Sequence, residues 1–198
     1  MRKTIWLLCL ALVCTQGLRP TAPSSIGASD SIDLYRYDEM AFHIAQFLEP
    51  RMRDTPQLER LNIGQWILDK SYENNLDPLL VLAVIQVEST FDDCAYSRFG
   101  AKGLMQVMPR RILTKEELAK YAFNHHIFYE PQWNISFGVD YLASLVDRFG
   151  SLETALAAYN AGPTRVSRLK SEQPVRTRYV RKVMYRYARL QKRFSTRT

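Results

Sequence analysis

The sequence predicts an all-α fold, and three observations carry that prediction. Apolar residues recur at helical spacing in several separate stretches of the chain. The breaks between those stretches hold helix-start and helix-stop residues: Pro56, Asp77-Pro78, Pro131, Gly150-Ser151 and Gly162-Pro163. No internal repeat and no convincing pair of alternating strands accompanies them.

From Asp33 to Glu49, the residues Leu34, Tyr37, Phe42, Ile44, Ala45 and Leu48 follow a helical period, and Pro50 closes the segment. Pro56 opens a second helix that carries Leu58, Leu61, Ile63, Trp66, Ile67 and Tyr72. Asp77 is a good N-cap, because its carboxylate accepts a backbone N–H that the first helical turn leaves unpaired. Pro78 suits the first helical position, where its missing N–H costs nothing. The run from Leu79 to Val87 is almost wholly apolar. Periodicity alone does not separate a buried helix from a buried strand there, but the Asp-Pro start favours a helix. A helix apolar on all sides belongs at the centre of the domain. Ser89 to Gly103 reads as irregular. Lys115 to Phe123 predicts a polar surface helix, and Pro131 to Phe149 predicts a helix stopped at Gly150. Ser151 with Thr154 opens another, which runs to Asn160 and is broken by Gly162-Pro163. The last helix is expected from about Arg176 to Arg193.

The 198 residues fit one domain of ordinary size plus a leader, and 46% hydrophobic with 24% charged residues excludes a disordered chain. The net charge of +7 is unevenly placed. Twelve basic residues and one acid, Glu172, lie between Arg165 and the end, which leaves the rest of the chain at −4. Such an end either meets an anionic polymer or membrane surface through the basic C-terminal helix, or is a solvated face. Arg178-Tyr179 and Tyr185-Arg186-Tyr187 interleave cations with aromatics, as single-stranded nucleic acid would want. An exported chain seldom meets that partner, so no nucleic acid is expected.

Arg2 and Lys3 precede an apolar run from Ile5 to Val13, the pattern of a secretory signal, and that run is too short to span a bilayer. The expected organisation is a signal peptide over 1–17, a linker over 18–31 and a helical domain over 32–198, exported to the periplasm. Cys9 and Cys14 fall in the signal, which leaves Cys94 unable to close an intrachain disulfide. Lipid attachment at Cys14 is not expected, because Val13 stands where such signals carry a small residue. His125 and His126 are adjacent and point in different directions on a helix, so no metal site is expected, and no cofactor. A monomer is expected.

Glu88 is the unusual residue. A carboxyl group at the end of an apolar helix loses solvation when ionised, which raises its pKa and suits it to general acid catalysis. Position alone favours a glutamate that reaches solvent or bonds a backbone amide. The surrounding motifs decide for function: Gln86-Val87-Glu88-Ser89-Thr90-Phe91; Ser97 through Gly103-Leu104-Met105-Gln106-Val107-Met108-Pro109; Ala157-Ala158-Tyr159-Asn160-Ala161-Gly162-Pro163. Glu130-Pro131, Asn134-Ile135, Gly138 and Tyr141-Leu142 stand between the last two. In this order and spacing, over about Ile67 to Val183, the sequence resembles the lytic transglycosylase catalytic domain of the soluble, goose-lysozyme-like superfamily.

The resemblance implies a lysozyme-like helical domain with a substrate groove. It implies peptidoglycan glycan strands as substrate and cleavage of the β-1,4 bond between N-acetylmuramic acid and N-acetylglucosamine. It implies Glu88 as catalytic acid/base, with Ser97, Met105, Gln106, Tyr159 and Asn160 lining the groove and Tyr179 near the carboxyl. The product it implies is a 1,6-anhydro-muramic end. Two departures stand out. The family often has Glu-Thr-Arg before the last tyrosine, where this chain has Arg176-Thr177-Arg178. Arg110-Arg111-Ile112 also replaces a small-residue stretch after Pro109, which predicts a more basic groove edge. The competing readings are a goose-type muramidase with Asp92, Asp93 or Asp140 activating water, and a non-catalytic glycan-binding module.

Overall fold

The computed structural model describes residues 28–121, 123–169 and 175–195, with side chains from Arg36 onward. The expected signal peptide and most of the expected linker lie outside these residues. The chain divides into two compact units, 1–34 and 35–198. Of the first, only the opening of one helix is described; the helical core belongs to the second.

The order of elements is α1 (Ala28–Leu48), α2 (Gln57–Glu73), α3 (Pro78–Glu88), α4 (Pro109–Ile112), α5 (Lys115–Lys120), a 3-10 helix (His125–Phe128), α6 (Pro131–Phe149), α7 (Leu152–Ala161), α8 (Pro163–Ser167) and α9 (Arg178–Ser195). Among the described residues there is no strand, only isolated bridges that pair Tyr96 with Lys102 and Lys102 with Val107.

Helix α3 is the buried centre. Val81, Leu82, Ala83 and Val84 are fully buried, as an all-round apolar helix must be. Its start is capped as expected: Asp77 Oδ1 accepts from the Leu79 N–H at 2.7 Å. The other carboxylate oxygen accepts from the Tyr187 hydroxyl at 2.5 Å, which ties α9 to the start of α3. Burial first, and then that contact, push the Tyr187 hydroxyl up to about 12. Helix α9 lies along α3 with Val180, Val183, Leu190 and Phe194 buried, while α6 packs on α2 and α7.

Helix ends follow the residues that predict them. Ser151 accepts from the Thr154 N–H, and Gly150 stops α6 at φ 62°. Three boundaries differ from expectation. Helix α1 begins at Ala28, inside the stretch read as linker. Helix α5 ends at Lys120 rather than at Phe123, so its capping box of Thr114 and Glu117 supports little more than one turn. Gly162-Pro163 ends α7 but does not end helical structure. Gly162, at φ 92°, turns the chain and Pro163 starts α8, because proline at a first position begins a helix as readily as it breaks one.

Candidate active site

The last turn of α3 carries Glu88 to the edge of a cleft. Thr90 and Phe91 follow with φ values of 57° and 69°, so the chain leaves the helix through two left-handed residues. This is a conformation that a β-branched residue adopts only at a cost of about 1–3 kcal/mol. The Ser89 hydroxyl accepts from the Phe91 N–H at 3.1 Å and steadies that turn, and Phe91 is buried as its anchor. The helix therefore ends at Glu88 and leaves its carboxyl at the cleft.

The cleft encloses about 220 Å³ and is lined by Glu88, Ser97, Gln106, Tyr159 and Asn160, together with Phe99, Arg111, Ile112, Phe137 and Tyr141. Five of the seven residues singled out by sequence thus converge from α3, the loop before α4, and α7. Tyr179 reaches the same carboxyl from α9, donating to Glu88 Oε1 at 2.6 Å. Burial pushes Glu88 up to about 7, while the Tyr179 hydrogen bond works in the opposite direction. Burial and the neighbouring Glu88 carboxyl hold both Tyr159 and Tyr179 well above the usual phenol range. They stay protonated, and each is a hydrogen-bond donor.

The loop Ser97–Met108 forms one wall of the cleft, and its shape comes from side chains that bond backbone. Ser97 Oγ accepts from the N–H groups of Phe99 and Ala101 at 3.3 and 3.0 Å. Gln106 sits at φ 50° and its amide nitrogen donates to the carbonyls of Ala95 and Gly103, both at 3.1 Å. Both amide hydrogens are thereby used, so Gln106 offers a ligand only its carbonyl oxygen. Asn160 is exposed at the rim.

Met105 is the exception among the expected groove residues. It is fully buried and lies behind the cleft wall rather than on it. A Cβ at Gly138 would stand 2.5 Å from its sulfur, so the thioether fills the space that a glycine on α6 leaves. Its carbonyl accepts from Tyr159 at 2.8 Å. Its side chain is therefore a packing piece, and its backbone sets the position of Tyr159.

Behind the same wall lies Asn134, one of the few buried polar residues. Its Oδ1 accepts from the Met105 N–H at 2.7 Å, and its Nδ2 donates to the carbonyls of Lys102 and Phe128 at 2.8 and 2.6 Å. Gly103, at φ 69°, passes so close that a Cβ there would meet Asn134 Nδ2 at 2.4 Å. One amide on α6 thus clamps the whole loop. Sequence reasoning gave Asn134 only as part of a pattern. The same holds for Tyr141, whose ring lies 5.5 Å from that of Tyr159. Arg111 lines the cleft, in accord with the basic groove edge read from Arg110-Arg111.

The remaining acids stand elsewhere. Asp92 is exposed and accepts from the Cys94 N–H at 2.9 Å. Asp140 is exposed on α6, where it accepts from Asn74 at 3.0 Å and lies 3.9 Å from Lys70. Asp92, Asp93 and Cys94 form a cluster with metal-ligand spacing, and none of them is among the residues that line the cleft.

The family model for the transglycosylase SLT domain matches residues 65–180, more than half of the chain and all of the elements that build the cleft. The chain belongs to this family. It is 38% identical over 97 residues to a transglycosylase of Enterobacteria phage PRD1, covering 49% of this chain and 34% of that protein. It is 36% identical over 89 residues to the soluble lytic murein transglycosylase of Salmonella typhimurium, covering 43% of this chain and 14% of the relative. With the membrane-bound lytic murein transglycosylase C of Glaesserella parasuis, identity is 32% over 106 residues, covering 48% and 29%. The chain spans about a third or less of the length of these relatives. The fold resembles that of an inactive mutant of lytic transglycosylase Slt from Pseudomonas aeruginosa at a TM-score of 0.58 and 22% identity, covering 84% of this chain and 32% of that one. Among the described residues no helix is long and apolar enough to cross a membrane.

Proposed function

We propose that this SLT domain is a peptidoglycan lytic transglycosylase of the cell envelope, with Glu88 as its single general acid and base. The observation that carries the reading is one carboxyl group in the cleft, held near pKa 7 by burial, with a tyrosine hydroxyl at 2.6 Å. The names of the relatives supply the substrate class. A glycosidic oxygen is a poor leaving group and needs a proton, which neutral Glu88 supplies. As the bond breaks, the muramic C1 gains oxocarbenium character. Ionised Glu88 then takes the proton from the same sugar's C6 hydroxyl, whose oxygen bonds to C1 and closes a 1,6-anhydro ring. Water is not consumed, and Glu88 ends protonated as it began. Tyr179 donates to Glu88 and stabilises its ionised form between the two transfers. Ser97, Gln106 and Asn160 orient the sugar from the cleft walls, an effect of positioning.

Hydrolysis by the usual two-carboxylate route needs a partner about 5–9.5 Å from the acid. Among the described residues no second Asp or Glu lines the cleft, and Asp92 and Asp140 bond other partners. The test is digestion of purified sacculi in water labelled with heavy oxygen, followed by mass spectrometry of the released muropeptides. The expected products end in 1,6-anhydro-N-acetylmuramic acid and carry no label. Stoichiometric label at the muramic C1 would make the protein a muramidase. No released product at all would leave the cleft a glycan-binding groove.

A further inference from the structure

A second concave site lies on the other side of the end of α3. It encloses about 450 Å³ and shares no lining residue with the cleft. Arg51, from the turn after α1, faces Arg186, Arg189, Lys192 and Arg193 of α9 across it, over a floor that includes Phe47 and Gln86. A smaller hollow continues it along α9 past Lys182 and Tyr185, sharing Gln86 and Arg186. No acid lines either hollow among the described residues.

The cations are held in place rather than left to spread. Arg51 stacks on the Phe47 ring at 3.8 Å from its centroid and donates from Nη1 to the Phe47 carbonyl at 2.6 Å. Arg193 lies on the same ring at 5.1 Å. Phe47 is itself buried and braced by Phe91 and Phe194, so the ring is a fixed platform. Arg189 donates to the Tyr185 hydroxyl at 3.2 Å. Like charges gathered this way repel. Burial first, then Arg193 and Arg186, pull the Arg51 guanidinium below its usual pKa.

From this arrangement we infer a binding site for a phosphate group, with Arg51, Arg186 and Arg189 as its anchoring residues. A carboxylate carries one charge and satisfies one guanidinium fork. A phosphomonoester or pyrophosphate carries about two or more charges and three or more acceptor oxygens, as converging guanidiniums require. The apolar face of α9 is packed into the core, so a lipid source would be met through its headgroup and not by insertion. The site stands independently of the proposed transglycosylase reaction.

The test titrates the full chain with inorganic pyrophosphate by calorimetry at low and at physiological salt. Its second arm measures co-sedimentation with phosphatidylcholine vesicles, with and without phosphatidic acid. Pyrophosphate is expected to bind at one site per chain. Arg51→Gln with Arg186→Gln should weaken it by at least about tenfold, while Lys115→Gln with Lys120→Gln, the same charge change on α5, should not. Arg186→Gln alone, at an exposed position, repeats the measurement should Arg51→Gln lower the Tm. Phosphatidic acid vesicles that bind and are released by pyrophosphate identify a lipid headgroup as the source; pyrophosphate binding without vesicle binding identifies a soluble phosphate. Equal losses in the two double variants, no saturable binding, or tighter binding of a glutamate-rich peptide of equal charge would each overturn the inference.

Discussion

Gln86 and Glu88 stand two residues apart on the last turn of α3, yet they serve hollows of opposite character. Glu88 enters a cleft built mostly of hydroxyls, amides and rings, where burial raises its carboxyl to about 7. Gln86 lies under a cluster of guanidiniums. A buried acid gains a titration near neutral pH, and so can move protons. Cations gathered among cations gain affinity for an anion. One helix end thus separates a site suited to chemistry from a site suited to binding.

The largest effect expected from disturbing this contrast is on turnover. Glu88→Gln keeps the shape of the side chain but cannot deliver a proton. It should lower the rate of muropeptide release from sacculi by about 10²–10⁴-fold while leaving pyrophosphate binding at the cationic site unchanged. A variant as active as the parent would remove Glu88 from the mechanism.

The next largest is on stability. Asn134→Ala removes three hydrogen bonds and leaves the Met105 N–H and the Phe128 carbonyl without this partner, while the Lys102 carbonyl keeps the Val107 N–H. Urea unfolding should show a loss of roughly 2–4 kcal/mol, since each stranded buried group costs about 1–3 kcal/mol and the loop recovers part by relaxing. Activity should fall with it, because Met105 also positions Tyr159.

A smaller effect sharpens the contrast through pH. The folded-state pKa of Glu88 is raised above its usual value of 4.5 to about 7, so the folded state holds this proton more tightly than the unfolded chain does. Its contribution to stability is present below pH 4.5 and is lost as pH rises through about 7. Glu88→Gln removes that loss. The variant should match the parent near pH 4 and exceed it by about 1–3 kcal/mol at pH 8, measured by denaturant unfolding across the range.

The smallest effect is a displacement of a pH profile. Tyr179→Phe deletes the hydrogen bond that favours ionised Glu88, so the carboxyl titrates higher. The alkaline limb of muropeptide release should move to higher pH, with a lower maximum because the ionised intermediate loses its donor. An unmoved limb would show that Tyr179 acts only by packing.

Much of the cleft is legible in the sequence because its signals are local. Asp77-Pro78 followed by seven consecutive apolar residues, Leu79 to Ile85, specifies a buried helix, and a glutamate at its end is conspicuous in any reading. Ser97, Gln106, Tyr159 and Asn160 sit in motifs whose order identifies them together. Helix starts at proline and stops at glycine fall close to where they are expected, because caps are decided by a few adjacent residues. The boundary at Gly162-Pro163 shows the limit: the same pair breaks one helix and begins another, and only the turn at φ 92° distinguishes the outcomes.

By itself, then, the sequence determined the helical class, the central helix, the odd carboxyl and the basic end. Tertiary structure alone decided which face each residue meets. Met105 and Gln106 are neighbours in the chain, but the space left by Gly138 takes Met105 into the core while Gln106 turns to the cleft. Arg51 is an ordinary loop arginine in sequence, and becomes part of a cationic site only because Phe47 and α9 meet beside it. The physical reason is range. Caps and periodicity act over a few residues, whereas burial, desolvation and charge clustering depend on atoms that the fold brings together from distant parts of the chain.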